Sequence, residues 1–166
     1  MGLEIELDSV DFITIGTVGP KGRRVFYLQA GGQGRLLSLI IEKEQAIAIG
    51  EASRDMLDRL ERSLGLSNDM PDMSRMDMEL RDPIEALFRV SRIGLDYDKG
   101  RDRVLIVAEE LIVLQEGQDP KPVSPSIVRL WVTRAQMRAL GLRALDVAKQ
   151  GRPNPTRNGR VLNYWT

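Results

Sequence analysis

The sequence predicts an α+β fold made of two βββα units, with six mainly antiparallel strands and two long amphipathic helices. Three observations carry this prediction. Between residues 12 and 44 three runs of strand-forming residues are separated by two glycine-rich turns. After Glu42 the apolar spacing lengthens from two residues to about 3.6, the period of a helix. The same succession returns between residues 86 and 151. On this reading residues 1–150 form a single domain. Its halves, 11–65 and 83–150, are joined by an acidic, Met-rich linker at 66–82, and residues 151–166 form a basic tail.

In the first strand Ile13, Ile15 and Thr17 alternate with Phe12, Thr14 and Gly16, and Gly19-Pro20-Lys21-Gly22 supplies a turn. Residues 25–30 form the second strand and residues 36–41 the third, with Gly31-Gly32-Gln33-Gly34 reversing the chain between them. Val25 and Tyr27 lie opposite Phe26, Leu28 and Ala30, and Leu37, Leu39 and Ile41 lie opposite Leu36 and Ile40, so both faces read as apolar. Such a sheet must be covered on both sides by helices, a second sheet or a partner chain. The first helix follows, with Ala46, Ile49, Ser53, Met56, Leu57, Leu60 and Leu64 on its inner stripe and Gly65 placed to stop it.

Residues 68–85 hold six acidic side chains against two basic ones, and four of the seven Met, which predicts a linker whose methionines pack over the core edge. The acidic spacing lacks the calcium-loop pattern, so no metal is predicted. In the second unit residues 86–90 and 93–97 read as strand with a bulge near Ser91-Arg92. A turn over residues 98–102 leads into a long strand at 103–113. Glu109 and Glu110 point to opposite faces of that strand and do not form a shared acid/base pair. A loop at 115–126 precedes a strand at 127–132. Thr133 and Gln136 then match a capping box, followed by the stripe Met137, Leu140, Ala144, Val147 and Ala148, and Gly151 closes this helix. Pseudo-symmetry between the units is an expectation about topology alone, since the halves share little sequence.

At 166 residues the chain buries roughly 70% of its unfolded surface, enough for a core without disulfide or metal. It contains no Cys and no His, which excludes a Cys nucleophile, a Ser-His-Asp triad, an imidazole base and a Cys/His zinc site. No catalytic residue and no cofactor is predicted. The charge balances at 24 basic against 24 acidic residues, so no overall field recruits nucleic acid or membrane. The acidic start and the lack of a long apolar run lead us to expect a cytoplasmic location and no membrane partner. Five guanidinium groups, Arg24, Arg89, Arg92, Arg101 and Arg103, are candidate anion or partner contacts. In the tail Arg152, Arg157, Arg160, Tyr164 and Trp165 are candidate contacts to another subunit, to the acidic linker or to single-stranded nucleic acid.

The strings GTVGPKGRRVFYLQA and EKEQ, then EALFRVSRIGLDYDKGRDRV, VRLWVTRAQMRAL and GRPNPTRNG resemble an uncharacterised bacterial family, a domain of unknown function of actinobacteria and their relatives. Members of that family end in a zinc-ribbon-like Cys/His segment after the G-R-P. Here Gly151-Arg152-Pro153 runs almost directly into Pro155-Thr156-Arg157-Asn158-Gly159, so the resemblance carries no metal. Its gene neighbourhood, with a phosphatase-like and a lipid-kinase-like protein, implies a partner or regulatory role. The preferred reading is a non-catalytic protein-interaction or assembly module, engaging a protein partner or a second copy. The alternatives are a phospho-ligand binder or enzyme using the clustered arginines and, third, a single-stranded nucleic-acid binder.

Overall fold

The computed structural model describes residues 2–66, 77–114, 117 and 124–150. In chain order the elements are β1 (Glu4–Leu7), β2 (Phe12–Val18), β3 (Val25–Gly32), β4 (Arg35–Ile41), α1 (Lys43–Leu64), β5 (Ala86–Asp98), β6 (Arg103–Glu110), β7 (Ile127–Val132) and α2 (Arg134–Gln150). The class is α+β, with two helices and one mixed seven-stranded sheet. This corrects the expected six strands. The extra strand, β1, is four residues long and buries Ile5 and Leu7 while exposing Glu4 and Glu6, an alternation too short to stand out in an acidic N-terminal stretch. The strand expected over 103–113 stops at Glu110; the Leu111 amide still donates to Arg89 O on the neighbouring β5 at 2.7 Å, and the described residues beyond it, 112–114, leave the ladder. Gly65, at φ 65°, ends α1 as its position predicts. Among the described residues no helix is long and apolar enough to cross a membrane.

The sheet order is β1-β7-β6-β5-β4-β3-β2. Four neighbouring pairs are antiparallel, while β1 with β7 and β4 with β5 run parallel. The outermost strands, β1 and β2, are consecutive in sequence. In a flat sheet they would lie six spacings apart, roughly 29 Å, yet the chain from Leu7 to Phe12 reaches at most roughly 17 Å. The sheet is therefore curled. β1 and β2 are the lower and upper halves of one kinked strand, the lower pairing with β7 and the upper with β3. β5 repeats the arrangement. Its first residues pair in parallel with β4, its register shifts between Val90 and Arg92, and the remainder pairs with β6.

Each half thus lends the start of its first strand to the last strand of the other half. Both helices reinforce the exchange with the same side chain. Gln45, in the first turn of α1, accepts from the Glu42 amide at 2.7 Å and donates Nε2 to Val90 O at 3.2 Å, on the kink of β5. Gln136, in the first turn of α2, accepts from the Thr133 amide at 2.8 Å and donates Nε2 to Val10 O at 2.7 Å, on the kink between β1 and β2. Thr133 Oγ1 accepts from the Gln136 amide at 3.0 Å, completing the capping box expected there. Core residues from both halves, including Ile15, Leu28, Leu39, Ile106, Leu130 and Leu140, form one cluster beneath the helices.

The opposite face of β2 to β4 carries Thr14, Gln29 and Ser38, all buried. The end of the acidic linker covers them. Thr14 Oγ1 donates to Met78 O at 2.7 Å, Gln29 accepts from the Arg81 amide at 2.7 Å and returns a bond to Arg81 O at 2.9 Å, and the Arg81 guanidinium stacks 3.8 Å above the Phe12 ring. That face is therefore closed by the chain itself, through polar side chains rather than the greasy surface expected. The methionines at 70, 73 and 76 lie outside the described residues, as do the tail contacts Arg152, Arg157, Arg160, Tyr164 and Trp165.

The helices cross where the eighth residue of each is glycine, Gly50 and Gly141. A Cβ on Gly141 would stand 2.7 Å from Ser53 Oγ, and one on Gly50 would meet Leu145 and stand 3.0 Å from Gly141 O. Ser53 is itself fixed, donating to Met137 O at 3.0 Å. In an open helix Gly→Ala gains up to about 1 kcal/mol, whereas overpacking at this crossing costs about 1–3 kcal/mol. We therefore expect Gly141→Ala to lower stability by about 1–2 kcal/mol in urea unfolding; a stabilised variant would show that the crossing is not tight.

Candidate functional site

Besides the outer side of β1, the exchange of half-strands leaves two strand edges beside the helices without a strand neighbour among the described residues: β2 on its side away from β3, and β5 after Val90 on its side away from β6. α2 lies along the first edge and α1 along the second. On an antiparallel strand with one partner, alternate residues turn their N–H and C=O outward. On β5 these are Ile93, Leu95 and Tyr97, because the Tyr97 amide is satisfied by its neighbour's carboxylate, Asp96 Oδ1, at 2.9 Å rather than by β6.

The two edges are treated differently. At the β2 edge Arg143, the tenth residue of α2, donates Nε to Ile15 O at 3.0 Å, so the helix fills the gap with a guanidinium. The tenth residue of α1 is Ala52, exposed and too short to reach β5. A groove of about 480 Å³ remains between α1 and β5, walled by Ala48, Ile49, Ala52 and Met56 on the helix and Ile93 and Leu95 on the strand. Gln45 and Ser91 close one end, and Asp55 and Arg59 stand at the rim. The lining is apolar along both walls, with the backbone groups of a strand edge beside it; among the described residues no group of three or more acidic side chains gathers to hold a metal ion.

A polar network fixes the far end of β5. The Tyr97 hydroxyl donates to Asp102 Oδ1 at 2.7 Å, and Arg134, at the start of α2, meets the same carboxylate with Nε at 2.8 Å and Nη2 at 3.2 Å. Asp102 adopts φ 49°, a left-handed conformation that a short polar side chain tolerates better than a branched one. Hydrogen bonds from Arg134 and then Tyr97 hold its carboxyl below the ordinary carboxylate range. The Tyr97 hydroxyl is pushed up, first by its bond to Asp102 and then by burial. A second cavity of about 240 Å³ adjoins this network, walled by Leu57, Leu60, Arg103, Arg134 and Arg138. Arg138 Nη2 lies 3.1 Å from Asp58, so Arg134 and Arg138 beside this cavity already face carboxylates.

The structure does not bring the five sequence-predicted arginines together. Arg89 pairs with Glu42 at 2.6 Å and Arg92 with Glu109 at 2.9 Å. Arg101 stacks 3.8 Å above the Trp131 ring and donates to Asp8 O at 3.3 Å. Arg103 donates to Asp102 O at 3.0 Å, and Arg24 lines a separate, largely polar cavity beside Gly16, Glu79 and Arg143. Only Arg92 borders the groove. Sequence reading missed Ala52, Ile93, Leu95 and Arg59 as site residues. The signal available was the bulge at Ser91-Arg92, which frees the strand edge that follows it.

A family model described as a protein of unknown function, DUF3090, matches residues 5–162 of this chain. No curated protein and no solved structure matches it.

Two outcomes follow from this geometry. Arg143→Ala removes a charge-assisted bond from the β2 edge and lowers stability by about 1–2 kcal/mol, below the full range for such bonds because the side chain is half-buried; an unchanged urea midpoint would contradict the filling role. The Asp102 pKa is depressed on folding, so its contribution is present above about pH 4 and lost as pH falls through the folded value. The Tyr97 pKa is raised, so its contribution is present below about pH 10 and lost as pH rises beyond it. Asp102→Asn flattens the acid limb of a stability–pH profile and Tyr97→Phe the alkaline limb. Identical profiles for all three proteins would show that the network carries no pH dependence.

Proposed function

Since the chain belongs to the DUF3090 family, whose function is unknown, we propose from its geometry that it is a non-catalytic protein-interaction module and that the groove between α1 and β5 is its docking surface. One observation carries the reading: of two equivalent strand edges beside helices, one is plugged by Arg143 and the other, among the described residues, has no such plug beside Ala52. An edge left open over apolar walls is a standing invitation to another chain, which natural proteins otherwise suppress. The absence of Cys and His from the sequence supports the same reading, since it removes most nucleophile and base chemistry. A phospho-ligand site built from Arg24, Arg89, Arg92, Arg101 and Arg103 draws less support, because these guanidinium groups stand apart and Arg89 and Arg92 are each matched to a carboxylate.

The test uses the structural equivalence of the two helices. Ala52→Arg places on α1 the side chain that closes the other edge, at an exposed position where the fold tolerates it. With the full chain as bait in an extract of its native host, a defined partner is retained by the unaltered protein, lost at least tenfold by Ala52→Arg, and retained by Glu51→Gln at an exposed position of the same helix outside the groove. Equal retention by all three baits, or a strictly monomeric protein that retains no partner, overturns the reading.

A further inference from the structure

We infer that the groove takes an extended segment of another protein, added as a strand to the free edge of β5, with large apolar side chains at alternate positions and an acidic residue at the end that meets Arg59. This deepens the interaction reading and rests on it. The edge supplies the hydrogen-bonding pattern: Ile93, Leu95 and Tyr97 present N–H and C=O groups outward, and the Tyr97 amide is held for now by the side chain of Asp96. An incoming strand replaces that local bond with a ladder. The molecule's own solution at the other edge shows what such an edge accepts, since Ile15 O there takes a donor from Arg143. A helix laid into the groove would bring no backbone donors to the edge, because its own are used internally.

The dimensions agree. From Gln45 to Arg59 along α1 is roughly 21 Å, which accommodates about six residues of extended chain. Ala48 and Ala52 are exposed and small, leaving room beside Met56, Ile93 and Leu95 for a large side chain at every second position. Charge then selects among occupants. Arg59, exposed at the rim, forms no ion pair among the described residues, whereas Arg92 is matched by Glu109 and Asp55 by Arg54. The groove therefore favours a segment with a carboxylate at the Arg59 end. The chain's own C-terminal residues 151–166 contain no acidic side chain and three arginines, Arg152, Arg157 and Arg160, the opposite of what Arg59 prefers. That argues for a partner protein as the source.

The experiment selects from a phage library of random decapeptides on the immobilised full chain, with Ala52→Arg as the counter-selection. The enriched peptides are then titrated into ¹⁵N-labelled protein. Expected are sequences with apolar residues at alternate positions and an acid at one end, amide shifts and slowed exchange at Leu95 and Tyr97, and at least tenfold weaker binding when that acid is replaced by lysine. Arg59→Glu then reverses the preference between the acidic and lysine peptides. Enriched peptides with helical spacing, or ones that shift amides away from β5, overturn strand addition while leaving the interaction reading intact. So does a library that yields no enriched sequence while the host partner is still captured and still lost by Ala52→Arg. Tight binding of a synthetic peptide of residues 151–166 at the same amides overturns the assignment to a partner protein. Loss of host-partner capture by the unaltered bait sinks the interaction reading itself.

Discussion

The structure depends on one constraint: the first strand of each half begins its pairing in the other half. The kink between β1 and β2 and the bulge in β5 are the two points of exchange, and each kink carbonyl is held by a glutamine from the first turn of a helix, Gln136 on Val10 and Gln45 on Val90. Because β1 pairs with β7 and the start of β5 pairs with β4, neither half can complete its sheet without the other. The curl of the sheet follows from the same fact, since a short chain segment joins strands at its two ends. So does the close helix crossing at Gly50 and Gly141, which brings the two halves' helices together over one core.

Exchange has a price at the edges. Where a strand leaves one neighbour for another, the side it vacates faces no ladder, and buried backbone groups require partners. Both kinks receive a first-turn glutamine; beyond that, among the described residues, the β2 edge takes the Arg143 guanidinium from its helix, while at the β5 edge the Tyr97 amide turns to the neighbouring Asp96 carboxylate. The asymmetry comes from single positions rather than from the fold: arginine at the tenth residue of α2 and alanine at the tenth of α1. The back face shows a similar asymmetry. Over β2 to β4 it is sealed by residues 77–85 through Thr14 and Gln29, whereas over β5 to β7 half-buried Leu105, Val107 and Trp131 lie among ion pairs such as Arg129 with Glu4. Function in this account is a matter of which surfaces the chain covers for itself.

Much of this was legible in the sequence, and the failures have physical causes. The α1 and α2 stripes, the Gly65 stop, the Thr133–Gln136 capping box and the bulge beside Ser91 all rest on local spacing, which side chains of one segment report directly. The capping role of Gln45 escaped because Glu42 is not a favoured cap residue, although the glutamine three positions on matched that of Gln136. β1 escaped because four residues give too short an alternation. The parallel pairings were invisible, since periodicity says which face is buried and not which strand lies alongside. Thr14, Gln29 and Ser38 were passed over when both faces of the first sheet were read as apolar: Ser38 is bonded to Gln29, and Thr14 and Gln29 reach the backbone of Met78 and Arg81, which no side-chain pattern announces. The arginines were legible as charges only. Arg89 and Arg92 could be recognised as guanidinium forks, but their partners, Glu42 and Glu109, are 47 and 17 residues away in sequence.

The central claim is that the halves are one cooperative unit because they exchange strands. Native-state amide exchange measured in rising denaturant tests it most directly, comparing Leu28 and Leu39 in the first half with Ile106 and Leu130 in the second. All four amides are expected to converge on a single opening free energy equal to that of global unfolding. Two separate isotherms, one for each half, would contradict it.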